Sequence, residues 1–351
     1  MAQRRFGIEL ASLCYVLAYL PYVVLTRLLS TTNAEGADRP LTGLEILPVM
    51  LTTGAIFTFG LIWISGWGRD VARLKLGPVA VPFATTWTAL SGVCTALVLV
   101  TVPLSYTFKD VSIPFMQLLM RGDILIIAPL VDLMSRRKVH WWSWAALVIV
   151  AVALFITLSA RGGLKLPPLA IITIVVYTIG YFGRLWIMSR ISKDDDQAKM
   201  RRFFSEEKIV GFPTALLMLA GVWAVGGAQG EELHRGFTQL WASQQTAMIT
   251  ACGLMICLTG VFSGLILLDK RENSYCVPLE RSASILAGIF GSVLLAVFLG
   301  GKMPSSAEFT GAALLVAAIS LLWLGPRLAA RSAEGKSATK AVVEAAAESP
   351  S

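Results

Sequence analysis

The sequence is short of charge. Asp, Glu, Lys and Arg supply 15% of its 351 residues, against about 25% in an ordinary soluble domain. Hydrophobic residues supply 56%, so the composition is that of a membrane protein. Histidine is almost missing. His140 and His234 fall in different, distant loops, which argues against a two-histidine metal site. Cys14, Cys94, Cys252, Cys257 and Cys276 lie in or beside apolar spans with no C-x-x-C, so neither a zinc site nor a disulfide framework is expected. They read as small buried residues. No G-x-x-x-x-G-K-[ST] loop is present to use ATP, and the spans hold no H-E-x-x-H or G-x-S-x-G constellation for chemistry inside the bilayer. No cofactor and no enzyme activity are therefore expected. A cleavable signal peptide is not expected either: Arg4 and Arg5 precede a span from Phe6 to about Leu28 that is too long for a signal core.

What remains is apolar runs of about twenty residues, the length that crosses a bilayer as a helix. They fall at 6–28, 43–65, 80–104, 111–134, 141–159, 166–189, 206–226, 244–268, 276–299 and 306–326. The fold class this implies is an all-α polytopic membrane protein with ten transmembrane helices. The net charge of +8 points to no nucleic acid once the basic residues are placed, because they sit in loops. The amino end, loops 66–79, 135–140, 190–208 and 269–275, and the tail carry most of the Lys and Arg, and the alternate loops carry few. By the positive-inside rule both termini are expected in the cytoplasm, in a cell inner or plasma membrane. Loop 190–208 reads as a mixed-charge solvated connector, loop 227–243 as a short surface helix, and 331–351 as a disordered tail.

The fourth span carries the deepest charges, Arg121 and Asp123. Arg121 lies about ten residues in, or ~15 Å at 1.5 Å per residue, which is near the midplane and beyond the reach of snorkelling. A charge at that depth costs at least ~2.5–3.5 kcal/mol, so it needs a partner or water. Two residues apart on a helix, Arg121 and Asp123 face about 200° apart and do not pair with each other. Gln117, Arg121 and Pro114 share one face, a polar stripe toward a cavity or a partner helix. Two readings follow: a substrate or proton site, or an ion pair that holds the bundle together.

Other spans hold further candidates. Tyr177, Tyr181 and Arg184 share a face at i, i+4 and i+7, as a substrate-facing stripe; alternatively the Arg184 stem reaches the cytoplasmic headgroups. Glu280 and Arg281 open the ninth span, either as interfacial caps or as working groups. Asp123 or Glu280 is a candidate to take up and release a proton, since burial raises a carboxyl pKa and a nearby Arg lowers it. Glu9 and Glu45 read as interfacial. Tyr15, Tyr19, Tyr22 and Trp87 are candidates to line a pathway or to pack. Gly288 and Gly291 suit close helix packing or a pivot.

Two stretches look like copies. IPFMQLLMRGDILIIAPLVDLM and the span after it parallel VPLERSASILAGIFGSVLLAVF and its successor, with Pro114 matching Pro278 and Ala145-Ala146-Leu147 matching Ala312-Ala313-Leu314. Five helices is an odd number, so the second unit (161–330) must lie upside down relative to the first (1–160). Inverted repeats of this kind frame alternating access in secondary transporters. The chain resembles the drug/metabolite transporter superfamily, the ten-helix group that includes EamA-type permeases and the nucleotide-sugar and triose-phosphate carriers. EamA-type members often place a Glu at the ends of the fourth and ninth spans, where this chain has Asp132 and Gly300-Gly301. Members that carry phosphorylated sugars use cations inside late helices, which Arg281 resembles loosely.

The resemblance implies a carrier that moves a small organic solute; without an ATP-binding loop the mode is exchange or proton coupling, and an arginine at the midplane favours a polar or anionic solute. Substrate-binding candidates are Arg121, Gln117, Tyr181, Arg184 and Arg281; proton-coupling candidates are Asp123 and Glu280. The expected partners are a small solute and the lipid bilayer, with a homodimer left open. Efflux of a lipophilic compound is the rival within the class, and a non-transporting receptor or lipid-handling protein is the rival outside it.

Overall fold

In hydrocarbon a backbone has no water to bond, so each apolar segment must close its own hydrogen bonds, and a helix does so within one segment. The computed structural model describes residues 7–31, 39–76, 79–108, 111–121, 130–134, 139–160, 166–191, 196–271, 273–300, 303–314, 316–318, 320–322 and 324–325, and there the chain is mainly helical. In order the helices are α1 (Ile8–Thr31), α2 (Gly43–Ile64), α3 (Thr86–Ser105), α4 (Ile113–Arg121), α5 (Trp141–Ala160), α6 (Pro168–Ile191), α7 (Gln197–Val225), α8 (Gly227–Thr238), α9 (Thr246–Leu267) and α10 (Asn273–Leu299). A shorter apolar helix, α11, covers Ser306–Leu322. Among the described residues eight helices, all except α4, α8 and α11, are long and apolar enough to cross a membrane. The expected fourth span is described as α4 and residues 130–134, and the tenth as α11. Leu13, Leu17, Val148, Phe155, Ile172 and Phe298 are exposed on outward faces. A multi-pass protein presents such residues to lipid, where they cost nothing.

Three expectations need correction. The third span was expected to open at 80, but Val79–Pro82 forms strand β2, paired antiparallel with β1 (Arg73–Leu76) so that Arg73 faces Pro82 and Leu76 faces Val79. Val79 and Val81 are β-branched, and Pro82 has no N–H for a helix interior, so α3 waits until Thr86. The stretch expected as a solvated connector up to residue 208 is helical from Gln197. Asp196 caps it by accepting from the Ala198 and Lys199 amides at 2.9 and 3.4 Å, and Phe203 and Phe204 are buried. Glu45 sits in the first turn of α2, at the span end where it was expected, and is 2% exposed. It completes a capping box with Thr42 at the start of α2 and pairs with Arg39 at 2.5 Å and Arg235 at 2.7 Å, while Thr42 donates to Glu232 at 2.9 Å. These contacts fasten α8 across the end of α2. Lastly, α10 begins at Asn273, so Glu280 and Arg281 stand two turns inside it.

The long helices cross in a regular manner: α3 packs against α6 and α7, and α9 packs against α1 and α2. Glycines set both crossings. A methyl at Gly92 of α3 would lie 2.6 Å from Val210 Cβ and 3.0 Å from the Glu207 carbonyl of α7, and Gly211 of α7 returns the contact on the Gly92 carbonyl at 3.3 Å. A methyl at Gly253 of α9 would lie 2.8 Å from the Gly54 amide of α2 and 2.9 Å from the Met50 carbonyl. Small residues let backbones approach where lipid supplies no hydrophobic drive between helices. Helix α10 lies against α1 and α4, and Gly288 leaves the space that the Gln117 side chain fills.

Asp132 joins residues 130–134 to this framework. Its carboxylate accepts from the Asn273 amide and Nδ2 at 2.9 and 2.7 Å and from the Ser274 amide and hydroxyl at 2.7 and 2.6 Å. The first amides of α10 have no partner within the helix, and a carboxylate also suits the positive end of the helix dipole.

Candidate functional site

Helices α1, α3, α6, α7, α9 and α10 line a cavity of about 90 Å³. By this measure one water needs ~10–15 Å³, so several waters or a small solute would fit. Its charged wall comes from the late turns of α6 and the early turns of α7 and α10: Arg184, Lys208, Glu280 and Arg281. All four are buried. Its opposite wall is aromatic and aliphatic, with Tyr19 and Tyr22 from α1, Val98, Leu99, Val102 and Pro103 from α3, and Ile256 from α9.

A carboxylate behind the cavity holds the cations in place. Glu207 of α7 is fully buried and accepts from Arg184 Nε, Lys208 Nζ and Ser91 Oγ, each at 3.0 Å. Glu207 thus ties α7 to α6 and α3 at the crossing that Gly92 makes possible. Its neighbour Glu206 turns the other way, accepting from the Ala72 and Thr85 amides and the Thr85 and Thr88 hydroxyls at 2.6–3.2 Å and pairing with Arg202 at 2.7 Å. These bonds pin both ends of the β1–β2 hairpin to α7.

A second carboxylate belongs to the cavity itself. Glu280 accepts from Tyr15 Oη at 2.8 Å and Ser263 Oγ at 3.2 Å, and its other oxygen is 3.4 Å from Arg281 Nε. The Arg281 guanidinium lies over the Tyr181 ring at 3.6 Å, and Tyr181 stacks on Tyr177, a cation–π arrangement that holds the charge away from lipid. Tyr19 and Tyr106 share a short hydroxyl contact, and Gln117 Nε2 reaches Tyr106 Oη at 3.4 Å. Gln117 therefore belongs to the layer behind the tyrosine wall.

Of the residues singled out from sequence, Tyr181, Arg184, Glu280 and Arg281 line the cavity, and so do Tyr15, Tyr19 and Tyr22. Arg184 does not reach out to headgroups, because its guanidinium is engaged by Glu207; Glu280 and Arg281 are not interfacial caps, because α10 starts earlier. Trp87 is half exposed and meets Trp186 edge-on, away from the cavity. The Arg121 side chain and Asp123 lie outside the described residues. Sequence reasoning missed Glu207 and Lys208, which it assigned to a loop and to the first turn of a span. The signal was available: Glu207 lies 23 positions after Arg184, across one short connection, and Asp196 is a helix cap ahead of both. Among the described residues no group of His, Cys, Asp and Glu is placed to hold a metal ion.

The chain matches no family model and no curated protein. Its fold is known: 24 chains of solved structures match it. One, described only as "Crystal structure of protein", superposes over 91% of this chain and 98% of its own with a TM-score of 0.56 and 14% identity. At that identity the likeness carries the arrangement of helices alone.

Proposed function

We propose that this chain is a secondary carrier of the drug/metabolite transporter type, which moves a small polar or anionic solute by alternating access without covalent chemistry. The observation that carries the reading is the buried charge at the cavity: three cations and two carboxylates held between helices from both halves of a lipid-facing bundle. Ions are kept at such depth for a pathway or a ligand more readily than for stability. Two inverted five-helix units with both ends in the cytoplasm are part of the proposal. In its favour, the packing of α3 on α6 and α7 repeats as that of α9 on α1 and α2, and the glycine contact of Gly92 with Gly211 repeats as that of Gly253 with Gly54. Pro114 and Pro278 fit the same relation. Glu280, between Tyr15, Ser263 and Arg281, is the proposed proton-coupling group, and coupling to exchange is the other mode.

Reconstitution tests the reading. Proteoliposomes loaded with one solute and challenged with others should show saturable flux that Lys208→Met abolishes while the purified variant stays folded. Absence of flux over a broad panel of organic anions and neutral metabolites would overturn the carrier and leave a receptor or lipid-handling role.

A further inference from the structure

We infer that the cavity selects a small amphipathic monoanion: a carboxylate on a short aliphatic or single-ring body. The inference rests on the carrier reading for its purpose, and on the cavity itself for its chemistry. Lys208 is 5% exposed, lines the cavity, and donates to Glu207. Its ammonium has three protons, and among the described residues Glu207 is its one hydrogen-bond acceptor. Arg184 has five N–H donors, and its hydrogen bond among those residues is the one from Nε to Glu207. Thr95, on the facing helix, has a buried hydroxyl with no hydrogen-bond partner there and lines the same cavity. Donors on a cavity wall are met by water or by a ligand, so this corner suits an acceptor-rich group.

Charge decides how much of one. Among the described residues Arg184 and Lys208 share the one carboxylate of Glu207, which leaves a single positive charge over at this corner. A monoanion balances it; a dianionic phosphate overshoots. Shape decides the rest. Ser91 and Gly92, early in α3, meet Glu207 and Val210, early in α7, so α3 and α7 run side by side from the charged end. Val98, Leu99, Val102 and Pro103 therefore follow in that order away from the charges, and Tyr22 lies with them. A ligand with its carboxylate on Lys208, Arg184 and Thr95 would lay an apolar body along that wall. Val98, Leu99, Val102 and Pro103 offer the hydroxyls of a sugar or polyol no partner in exchange for the water they lose.

Thermal unfolding of the purified full chain tests this, with benzoate and 4-methylpentanoate as probes, and acetate, benzyl alcohol and glycerol 3-phosphate as the head alone, the neutral body and the polar dianion. A ligand that binds the native state raises the midpoint, here by several degrees near saturation. The two carboxylates with bodies should do so, acetate should do so less, and the other two should not. Gly260→Leu supplies the control. A methyl there meets nothing nearer than Lys208 Cε at 3.9 Å, so leucine fills the cavity without breaking a contact. That variant should be at least as stable as the parent and unresponsive to the carboxylates. An equal or larger shift from glycerol 3-phosphate or benzyl alcohol, no shift from either carboxylate, or an undiminished response in Gly260→Leu would overturn the inference. Flux measured on the same preparation separates the two claims: transport of glycerol 3-phosphate without a carboxylate shift sinks the substrate class and keeps the carrier. A carboxylate shift without benzoate flux keeps the class and sinks the carrier.

Discussion

Glu207→Gln is the substitution whose consequence the structure sizes best. The amide keeps the shape of the side chain and the packing of α7 on α3 and α6, but removes the charge between two buried cations. Arg184 and Lys208, each 3.0 Å from it, are left with no counter-ion in direct contact among the described residues. Breaking a buried pair by removing one partner costs about 3–5 kcal/mol, because the surviving charge stays buried. Two survive here, so the upper half of that range is expected. At roughly 2 °C per kcal/mol for a chain of this size, the unfolding midpoint should fall by about 8–10 °C. Lys208→Met should behave differently, since it leaves Arg184 and Glu207 as a balanced pair and replaces an ammonium with an apolar stem. One charge-assisted bond of about 1.5–3 kcal/mol is lost, but the desolvation of the ammonium is relieved, and the midpoint should move by less than ~3 °C. Combining the two should recover part of the loss from Glu207→Gln. The assay is a fluorogenic thiol dye during a thermal ramp in detergent: Cys252, Cys257 and Cys276 are buried thiols and react when the bundle opens. A midpoint for Glu207→Gln within ~2 °C of the parent, or Lys208→Met as the more damaging of the two, would refute the assignment of Glu207 as the ion that holds the cations.

Three further outcomes are expected. Glu206→Ala removes the acceptor of the Ala72 and Thr85 amides, so trypsin should cut after Arg73 or Lys75 several times faster in the folded protein; an unchanged cleavage rate would count against the anchor. Asp132→Ala takes the acceptor of the Asn273 and Ser274 amides and of the Ser274 hydroxyl, while Asn273 Nδ2 keeps Ser189 Oγ, and should lower stability by about 2–4 kcal/mol, whereas Asp132→Asn, which keeps one oxygen but loses the charge at the helix end, should cost about 1–2 kcal/mol; the order of the two midpoints is the check. Gly253→Val places atoms against the Gly54 amide and Met50 carbonyl and should cost about 1–3 kcal/mol as overpacking, while Gly221→Val, with nothing within 4 Å, should leave the midpoint unchanged.

Eight of the spans were legible because each of those apolar runs matches the thickness of a bilayer, a constraint that acts on a segment by itself. Where the structure departs from that reading, a local device decided the boundary: the cap at Asp196, the β-branched residues before Pro82, the start of α10 at Asn273. Tyr181, Arg184, Glu280 and Arg281 stood out because an ionisable or aromatic residue in hydrocarbon needs a reason at its own position. Glu207 and Lys208 did not stand out, because adjacent opposite charges beside a basic stretch have the composition of a surface. What moved them inside was a partner on another helix, Arg184, and a glycine, Gly92, that lets α3 close on them. Such pairings come from the crossing of helices and leave no periodic trace along one strand of sequence.

Three consecutive residues of α7 show how one turn serves several ends. Successive side chains on a helix point about 100° apart, so Glu206, Glu207 and Lys208 are bound to face three ways. Glu206 takes the hairpin, Glu207 takes α3 and α6, and Lys208 takes the cavity. A single charge of this kind is costly in hydrocarbon, but each carboxylate here has a cation within 3.4 Å, and Coulomb attraction is strongest where the surroundings are least polar. The ions therefore hold one another, and the bundle tolerates them as a group where it would reject any one. The same mutual support makes the cavity responsive: an anion that enters beside Lys208 competes with Glu207 for its protons, and Glu207 is the carboxylate that joins α7 to α3 and α6.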